Sequence, residues 1–183
     1  NITVRKKARQ FGRIVKQSAL QPRTGESRRP VLVGSDQLGI TFIGHSSFFI
    51  QIGGRNIVVD PNFAQWIFLL KRLRRPGVAI RELPPIHCVL VTHAHFDHLH
   101  RPSLRTIARL SRKHGDAAPE IVVPRHVSDL VADLGFSRVT ELEWWQEHRS
   151  GTVSITATPA NHWGARMLRD FHRGFCGYVI QTE

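Results

Sequence analysis

One ten-residue stretch, residues 91–100, constrains this chain more than any other part of its sequence. It continues an apolar run, residues 88–91, that has the length and composition of a buried strand. Five potential metal ligands then share one short loop: His93, His95, Asp97, His98 and His100. Imidazole and carboxylate groups bind zinc and neighbouring divalent metals, and alternate residues at a strand end can converge on one ion. The pattern therefore predicts a metal site at the end of a buried strand.

The length and composition are typical of one globular domain. The chain has 183 residues, of which 41% are hydrophobic, and domains of about this size bury roughly 70% of the surface of the unfolded chain. A core can thus form without cross-links, and Cys88 and Cys176 make no disulfide framework. Because the sequence starts at Asn1 and ends just after a strand-like run, we expect both ends to continue in a longer protein, with a removed signal peptide as an open alternative.

Basic residues dominate the charge and are unevenly placed. Lys and Arg number 26 against 14 Asp and Glu, which gives a formal net charge of +12. Many of them stand before residue 30, and a second cluster consists of Lys71, Arg72, Arg74 and Arg75. Such clusters suit nucleic acid, anionic lipid or a phosphate-bearing substrate, and the alternative is a basic face that stays in water.

The hydropathy pattern divides the chain into a basic N-terminal arm, residues 1–36, and a domain, residues 37–183. The arm is broken by prolines and glycines and is expected to be at most partly helical. From residue 40, short apolar runs end at turn residues, which predicts a hairpin-rich sheet. Helical spacing begins at Leu104, after the histidine-rich loop. Further predicted elements are strands at 121–123, 139–142, 153–158 and 178–181 and a helix-like segment at 127–134.

The pattern His-x-His-x-Asp-His after an apolar strand resembles the signature of the metallo-β-lactamase superfamily. Other segments resemble one branch of it, the N-acyl-phosphatidylethanolamine-hydrolysing phospholipase D family and its bacterial relatives. Those segments are Ile43-Gly44-His45-Ser46-Ser47, Val59-Asp60-Pro61-Asn62-Phe63, Lys71-Arg72-Leu73-Arg74-Arg75-Pro76-Gly77, Leu83-Pro84-Pro85-Ile86 and Thr158-Pro159-Ala160-Asn161-His162-Trp163. The resemblance runs from about Gly39 to the end of the chain. It implies an α/β fold, the metallo-β-lactamase-like αββα sandwich, incomplete at its C-terminus, so that residues 37–183 are the N-terminal part of a hydrolase domain.

The resemblance also implies roles for individual side chains. The metal ligands that it implies are His93, His95 and His162 for a first ion, and Asp97 and His98 for a second. The remaining ligands of the family, a bridging Asp and one more His, would follow Glu183, so we expect the 183 residues alone to bind metal poorly and to be almost inactive. Relatives often carry Asp where this chain has His100, which either supports the ligands from behind or is merely exposed.

Three other positions have two interpretations each. His162 follows a predicted strand and Thr158-Pro159, so it either completes a three-His face with one open position or is a structural histidine. Asp60 ends the strand at 57–59 and either accepts the ring N–H of a ligating histidine, fixing its tautomer, or only forms an Asp-Pro turn. His45 follows Gly44 in a tight turn and either faces the substrate cleft or packs.

These observations predict a metal-dependent hydrolase. A metal held by three imidazoles keeps a position for water, whose pKa falls from about 15.7 to about 7, and the sequence has no Gly-x-Ser-x-Gly nucleophile elbow. We expect one or two zinc ions, with Asp97 and His98 acting alongside the metal-bound water. The resemblance implies a phosphodiester substrate such as a phospholipid. The alternatives are a nuclease of the same superfamily and a metal-binding module without catalysis.

The apolar run at residues 66–70, followed by the basic cluster, also has two interpretations. It either lies against anionic lipid, to which each basic residue contributes about 1 kcal/mol, or is a buried helix followed by a solvated turn. It is far shorter than the roughly 20 residues that cross a bilayer. We therefore expect a cytoplasmic protein or one that is peripheral at the inner face of a membrane. Nucleic acid is the less favoured partner, because Phe11 is the sole aromatic residue in the arm.

Overall fold

The computed structural model describes residues 2–113, 117–167 and 170–182, and its main strands form two facing sheets. The elements in chain order are helix α1 (Ile2–Leu20), strands β1 (Gly39–Gly44), β2 (Ser47–Ile52), β3 (Arg55–Val59), β4 (Trp66–Ile67), β5 (Leu70–Lys71) and β6 (Cys88–Leu90), helix α2 (Arg101–Lys113), and strands β7 (Glu120–Pro124), β8 (Arg138–Leu142), β9 (Glu147–Ser150), β10 (Val153–Thr158) and β11 (Gly177–Thr182). The larger sheet has the strand order β1-β2-β3-β6-β7-β8, and the smaller has the order β11-β10-β9.

The larger sheet is antiparallel on one side and parallel on the other. Strands β1, β2 and β3 form a meander, whereas β3, β6, β7 and β8 run parallel. Every residue of β6 is buried, as expected for a parallel strand covered on both faces. The carboxyl end of β6 leads directly into the histidine-rich loop, as the sequence predicted.

Two apolar layers enclose this sheet. On one face, α2 places Leu104 and Ile107 at helical spacing against Val58, Val89 and Ile121. On the other face, side chains of the larger sheet pack against those of the smaller sheet: Ile57, Leu90 and Val122 against Val153 and Ile155. The described layers are thus helix, sheet and sheet, and they fix the end of β6 relative to the end of β10.

The two sheets are joined close to the histidine-rich loop. The Cys176 amide donates to the Thr92 carbonyl (3.0 Å), and the Tyr178 hydroxyl donates to the Val91 carbonyl (2.8 Å). In the segment after β10, a Cβ atom on Gly164 would collide with the Arg173 carbonyl oxygen. Glycine therefore permits the close approach that keeps this segment, which carries His162, beside the loop.

The arm is partly helical, as expected: Ile2–Leu20 forms α1, and Lys71 Nζ donates to the carbonyls of Ala19 and Gln21 at its end. Two other local expectations need correction. The run at 66–70 is not a buried helix, since β4 and β5 form a hairpin in which Phe68 is 72% exposed. In the helix-like segment, Ser128–Leu130 forms a short 3-10 turn. No helix in the described ranges has the length and apolarity needed to span a membrane.

Candidate metal centre

Three histidines meet at the edge where the two sheets come together. His93 and His95 lie in the loop after β6, and His162 lies in the segment after β10. One ring nitrogen of each lies within 4.8 Å of the others. The ring of His93 is 4.6 Å from that of His95 and 4.3 Å from that of His162, measured between centroids. The structure thus brings together the three side chains that the resemblance assigned to a first metal.

His93 has the hydrogen bonding expected of a metal ligand. The Thr92 hydroxyl donates to Asp60 (2.6 Å) and lies 2.8 Å from His93 Nδ1, so it accepts from the Nδ1–H group. The lone pair is then on Nε2, which is buried and has no hydrogen-bond partner within the described residues. Burial, together with the neighbouring His98, His162 and His95, lowers the pKa of His93 to about 3. A neutral imidazole with an unpartnered buried nitrogen fits a divalent metal.

His95 is oriented by the segment that carries His162. The backbone of Ala165 accepts a hydrogen bond from its ring. Burial, followed by the effect of His162, lowers the pKa of His95, so this imidazole is also neutral at neutral pH. His93 and His95 are therefore both neutral, which is the protonation state that metal binding requires.

A second group adjoins the first and consists of His45, Asp97 and His98. The His45 Nε2 atom lies 2.7 Å from Asp97 Oδ2, and His98 Nε2 lies 3.7 Å from the same oxygen. Burial opposes ionisation of Asp97, but the hydrogen bond from His45 and the nearby His98 outweigh it and lower the pKa of the carboxyl group. The rings of His93 and His98 are 3.9 Å apart, so the two groups form one continuous centre.

Asp60 lies behind this centre, buried to 2% exposure. Its carboxylate accepts hydrogen bonds from the Thr92 amide (2.7 Å), the Thr92 hydroxyl (2.6 Å) and Nδ1 of His98 (2.8 Å). Burial lowers the pKa of His98, but the bond to Asp60 and the charges of Asp60 and Asp97 raise it overall. Asp60 therefore orients His98 directly and His93 through Thr92, while its left-handed backbone (φ 45°) also forms the turn before Pro61.

The structure shows the surroundings of two further positions, His45 and His100, that had two interpretations each. His45, also left-handed at φ 58°, faces the centre and contacts Asp97 instead of packing in the core. His100 belongs to neither group and caps α2: its Nδ1 accepts from the Ser103 amide (3.3 Å) and lies 2.7 Å from the Ser103 hydroxyl. Burial and Arg166 lower the pKa of His100, which keeps Nδ1 available as an acceptor.

Sequence reasoning gave no role to three residues that shape the centre. Asn62, 1% exposed, donates from Nδ2 to the Asp97 carbonyl (2.9 Å). Thr92 links Asp60 to His93, and Arg166 donates to two carbonyls of the loop. Asn62 could have been selected from the sequence, because it stands only two residues after Asp60. No local pattern marks Arg166, because its contacts lie about 70 residues away in the sequence.

A cavity of about 250 Å³ opens beside the second group. His45 and Asp97 line one end, Ile67 and Leu70 of the β4–β5 hairpin line an apolar wall, and Lys71 and Arg72 add positive charge. Arg72 Nη1 donates to the Asn62 carbonyl (2.6 Å), and burial lowers the pKa of its guanidinium. The cavity can therefore receive an anionic group that carries an apolar chain.

Comparison with known proteins places these features in a family context. The mitochondrial N-acyl-phosphatidylethanolamine-hydrolyzing phospholipase D of Saccharomyces cerevisiae is 29% identical over 149 residues, which are 76% of this chain and 31% of that protein. The isothiocyanate hydrolase from Delia radicum gut bacteria has a TM-score of 0.57 at 19% identity, over 78% of this chain and 57% of that one. CmlA, a diiron β-hydroxylase from Streptomyces venezuelae, has a TM-score of 0.55 at 20% identity, over 84% of this chain and 29% of that one.

The two solved structures share the fold, and the phospholipase D adds similarity of sequence. The chain spans less than half the length of the yeast phospholipase D and of two other curated relatives that it matches. A family model described as "Beta-lactamase superfamily domain" matches residues 55–183. With the fold, the clustered histidines and these matches in agreement, the chain belongs to the beta-lactamase superfamily domain family, of the metallo-β-lactamase fold.

Proposed function

We propose that the protein is a zinc-dependent hydrolase that cleaves a phosphodiester, preferably in a phospholipid. The observation that carries the proposal is the buried Nε2 of His93, which has no hydrogen-bond partner among the described residues and lies beside the ring nitrogens of His95 and His162. These three would hold a first ion, and Asp97 and His98 would belong to a second. The imidazole and carboxylate donors suit zinc, and iron is the alternative ion that metal analysis would reveal.

When bound, a divalent metal supplies Lewis-acid chemistry and lowers the pKa of water from about 15.7 to about 7. The protein prepares the centre for this chemistry. Asp60 and Thr92 fix the tautomers of His98 and His93, and His45 keeps Asp97 ionised and oriented. Each hydrogen bond removes a rotation that would otherwise have to be restricted during the reaction.

The cavity beside Asp97 supports a phospholipid as the substrate. Lys71 and Arg72 would attract a phosphate group, while Ile67 and Leu70 would contact an acyl chain. The yeast relative is named for hydrolysis of an N-acylated phospholipid, which favours the same substrate class. The exposed hairpin residues Phe68 and Leu69, beside this basic cluster, would rest on an anionic membrane surface, which agrees with a peripheral location.

The test uses the full-length protein loaded with zinc and a panel of phosphodiester, lactone, β-lactam and RNA substrates. We expect phosphodiester hydrolysis that chelation and His95→Ala both abolish, with Asp36→Asn, in an exposed turn, as the control variant. Preference for the lactone or the β-lactam would overturn the substrate, and preference for RNA would favour a nuclease. Zinc retained without turnover would favour the non-catalytic module. The 183 residues alone stay predicted to turn over far less than the longer chain.

A further inference from the structure

Arg166, four residues after His162, reaches both ends of the histidine-rich loop. Its Nη1 atom donates to the Ala94 carbonyl (2.7 Å) and to the Leu99 carbonyl (3.0 Å). Those two carbonyls stand near the start and the end of the stretch that carries His95, Asp97 and His98. One guanidinium group therefore closes the loop across its base, from a segment that is distant in sequence.

The same guanidinium also stacks on the middle of the loop. Its central carbon lies 3.9 Å from the ring centroid of Phe96, a distance at which a cation is attracted to an aromatic face. Phe96 also packs against Phe68 of the β4–β5 hairpin in a T-shaped arrangement, with the ring centroids 4.6 Å apart. Phe96 thus lies between two segments and directly between His95 and Asp97 in the sequence.

The charged group of Arg166 interacts with two backbone carbonyls and an aromatic ring. Among the described residues no carboxylate forms a salt bridge with it, and its hydrogen bonds go to backbone carbonyls. Burial, together with Arg101 and Arg173, lowers its pKa to about 10, which leaves it charged at neutral pH. A lysine at this position would supply the charge without the planar group that stacks on the ring while donating sideways.

We infer that Arg166 is a positioning residue that locks the histidine-rich loop onto the His162 segment and so presets the metal centre. The inference rests on the proposed metal centre, although the lock itself is a property of the protein alone. Without the lock, metal binding would have to order the loop, and the cost of ordering would weaken the affinity. The adjacent Ala165, whose backbone accepts a hydrogen bond from the ring of His95, belongs to the same segment.

The experiment compares Arg166→Met, Arg166→Lys and a control, Arg112→Met, in the full-length protein. Arg112 also donates to a backbone carbonyl, that of Gly135, but at the far end of α2. Two amides report on the loop, because the N–H groups of His98 (3.1 Å) and Leu99 (2.8 Å) both donate to the His95 carbonyl. We expect Arg166→Met to speed hydrogen exchange of these amides about tenfold in the metal-free protein and to weaken zinc affinity about 10–100-fold.

The pattern of effects separates positioning from a general loss of stability. Exchange in β7 should remain unchanged, Arg166→Lys should recover part of the affinity, and Arg112→Met should alter neither reporter amide. If Arg166→Met does not fold, Phe96→Leu, which keeps both carbonyl bonds but removes the stacking, is expected to shift the same two readouts in the same direction. Exchange and zinc affinity within twofold of the unaltered protein would overturn the inference. If the wild-type protein binds no zinc, the proposed function is refuted. Hydrogen exchange of the loop amides in the metal-free protein would still test whether Arg166 holds the loop in place.

Discussion

The carboxylate of Asp60 lies 2.8 Å from Nδ1 of His98 and accepts a hydrogen bond from its ring N–H group. This contact leaves Nε2 of His98 directed toward Asp97, with Nε2 and the Asp97 oxygen 3.7 Å apart. The same carboxylate holds Thr92, which in turn accepts from Nδ1 of His93. One buried acid at the end of β3 thus sets the tautomers of two histidines, one from each group of the centre.

We predict that Asp60→Asn weakens zinc affinity or activity about 10–100-fold, because an amide cannot accept all three hydrogen bonds that the carboxylate accepts. Isothermal titration with zinc and turnover of the phosphodiester substrate check this expectation. Asp36→Asn, in an exposed turn, is the matched control. Unchanged affinity and activity in Asp60→Asn would restrict Asp60 to its role in the turn before Pro61.

The main strands could be predicted from the sequence because their signals are local, whereas the fold class was implied by the family resemblance. Short apolar runs that end at turn residues marked the meander, and the run at Cys88 marked the buried central strand. Histidines at alternate positions directly after that strand emerge at the same edge of the sheet. Strand geometry therefore predicted that their side chains lie close together. The motif resemblance added His162, which local spacing alone could not connect to the loop.

The features that were left open or missed depend on contacts between distant segments. α1 lacks a sustained apolar face in the sequence, and its end is fixed by Lys71, about 50 residues away. The run at 66–70 has strand and helix potential alike, and the cross-strand pairing of Ile67 with Leu70 decided for a hairpin. Arg166 reaches the loop from a segment in which Gly164 lets the chain pass close to Arg173. Such contacts leave no periodic trace in the residues that make them.

We predict that His100 stabilises α2 and does not affect the metal centre. Replacement by Ala removes the acceptor for the Ser103 amide and should lower the free energy of unfolding by about 1 kcal/mol. His100→Asp should keep most of the stability, since Asp is a favourable residue at a helix N-terminus. Urea unfolding of the metal-free protein and zinc titration test both variants. A large loss of zinc affinity in both variants, without loss of stability, would contradict this assignment.

We predict that Asp129 stabilises the protein at neutral pH and less so in acid. Its carboxylate accepts from Nη1 (2.7 Å) and Nη2 (3.0 Å) of the buried Arg173, and this pairing lowers the pKa of Asp129. A carboxyl group whose pKa is lower in the folded state adds stability above its unfolded pKa of about 3.9 and loses it as the pH falls through the folded value.

The measurement is urea unfolding of Asp129→Asn and the unaltered protein between pH 7 and pH 3. We expect the variant to be less stable at pH 7, by at most about 1 kcal/mol because the carboxylate is mostly exposed, and the difference to shrink toward pH 3. In an Arg173→Met background, Asp129→Asn should add little further loss. A difference that is constant with pH would show that the ion pair is not its source.

We predict that the β4–β5 hairpin carries most of the membrane affinity of the protein. Phe68 is 72% exposed and Leu69 is 61% exposed at its tip, next to the basic cluster of Lys71, Arg72, Arg74 and Arg75. Replacing both tip residues by Ser removes apolar surface that would otherwise enter the interface, so binding to vesicles with anionic lipid should fall about tenfold or more. Arg74→Gln with Arg75→Gln should weaken binding by a similar factor and reduce its salt dependence, at about 1 kcal/mol per charge.

Trp145→Ser is the control, because Trp145 is 71% exposed but lies in the turn between β8 and β9. Sedimentation with vesicles of phosphatidylcholine, with and without phosphatidylserine, gives the measurement, and equal binding by the tip variant and the Trp145 control would refute a membrane role for the hairpin.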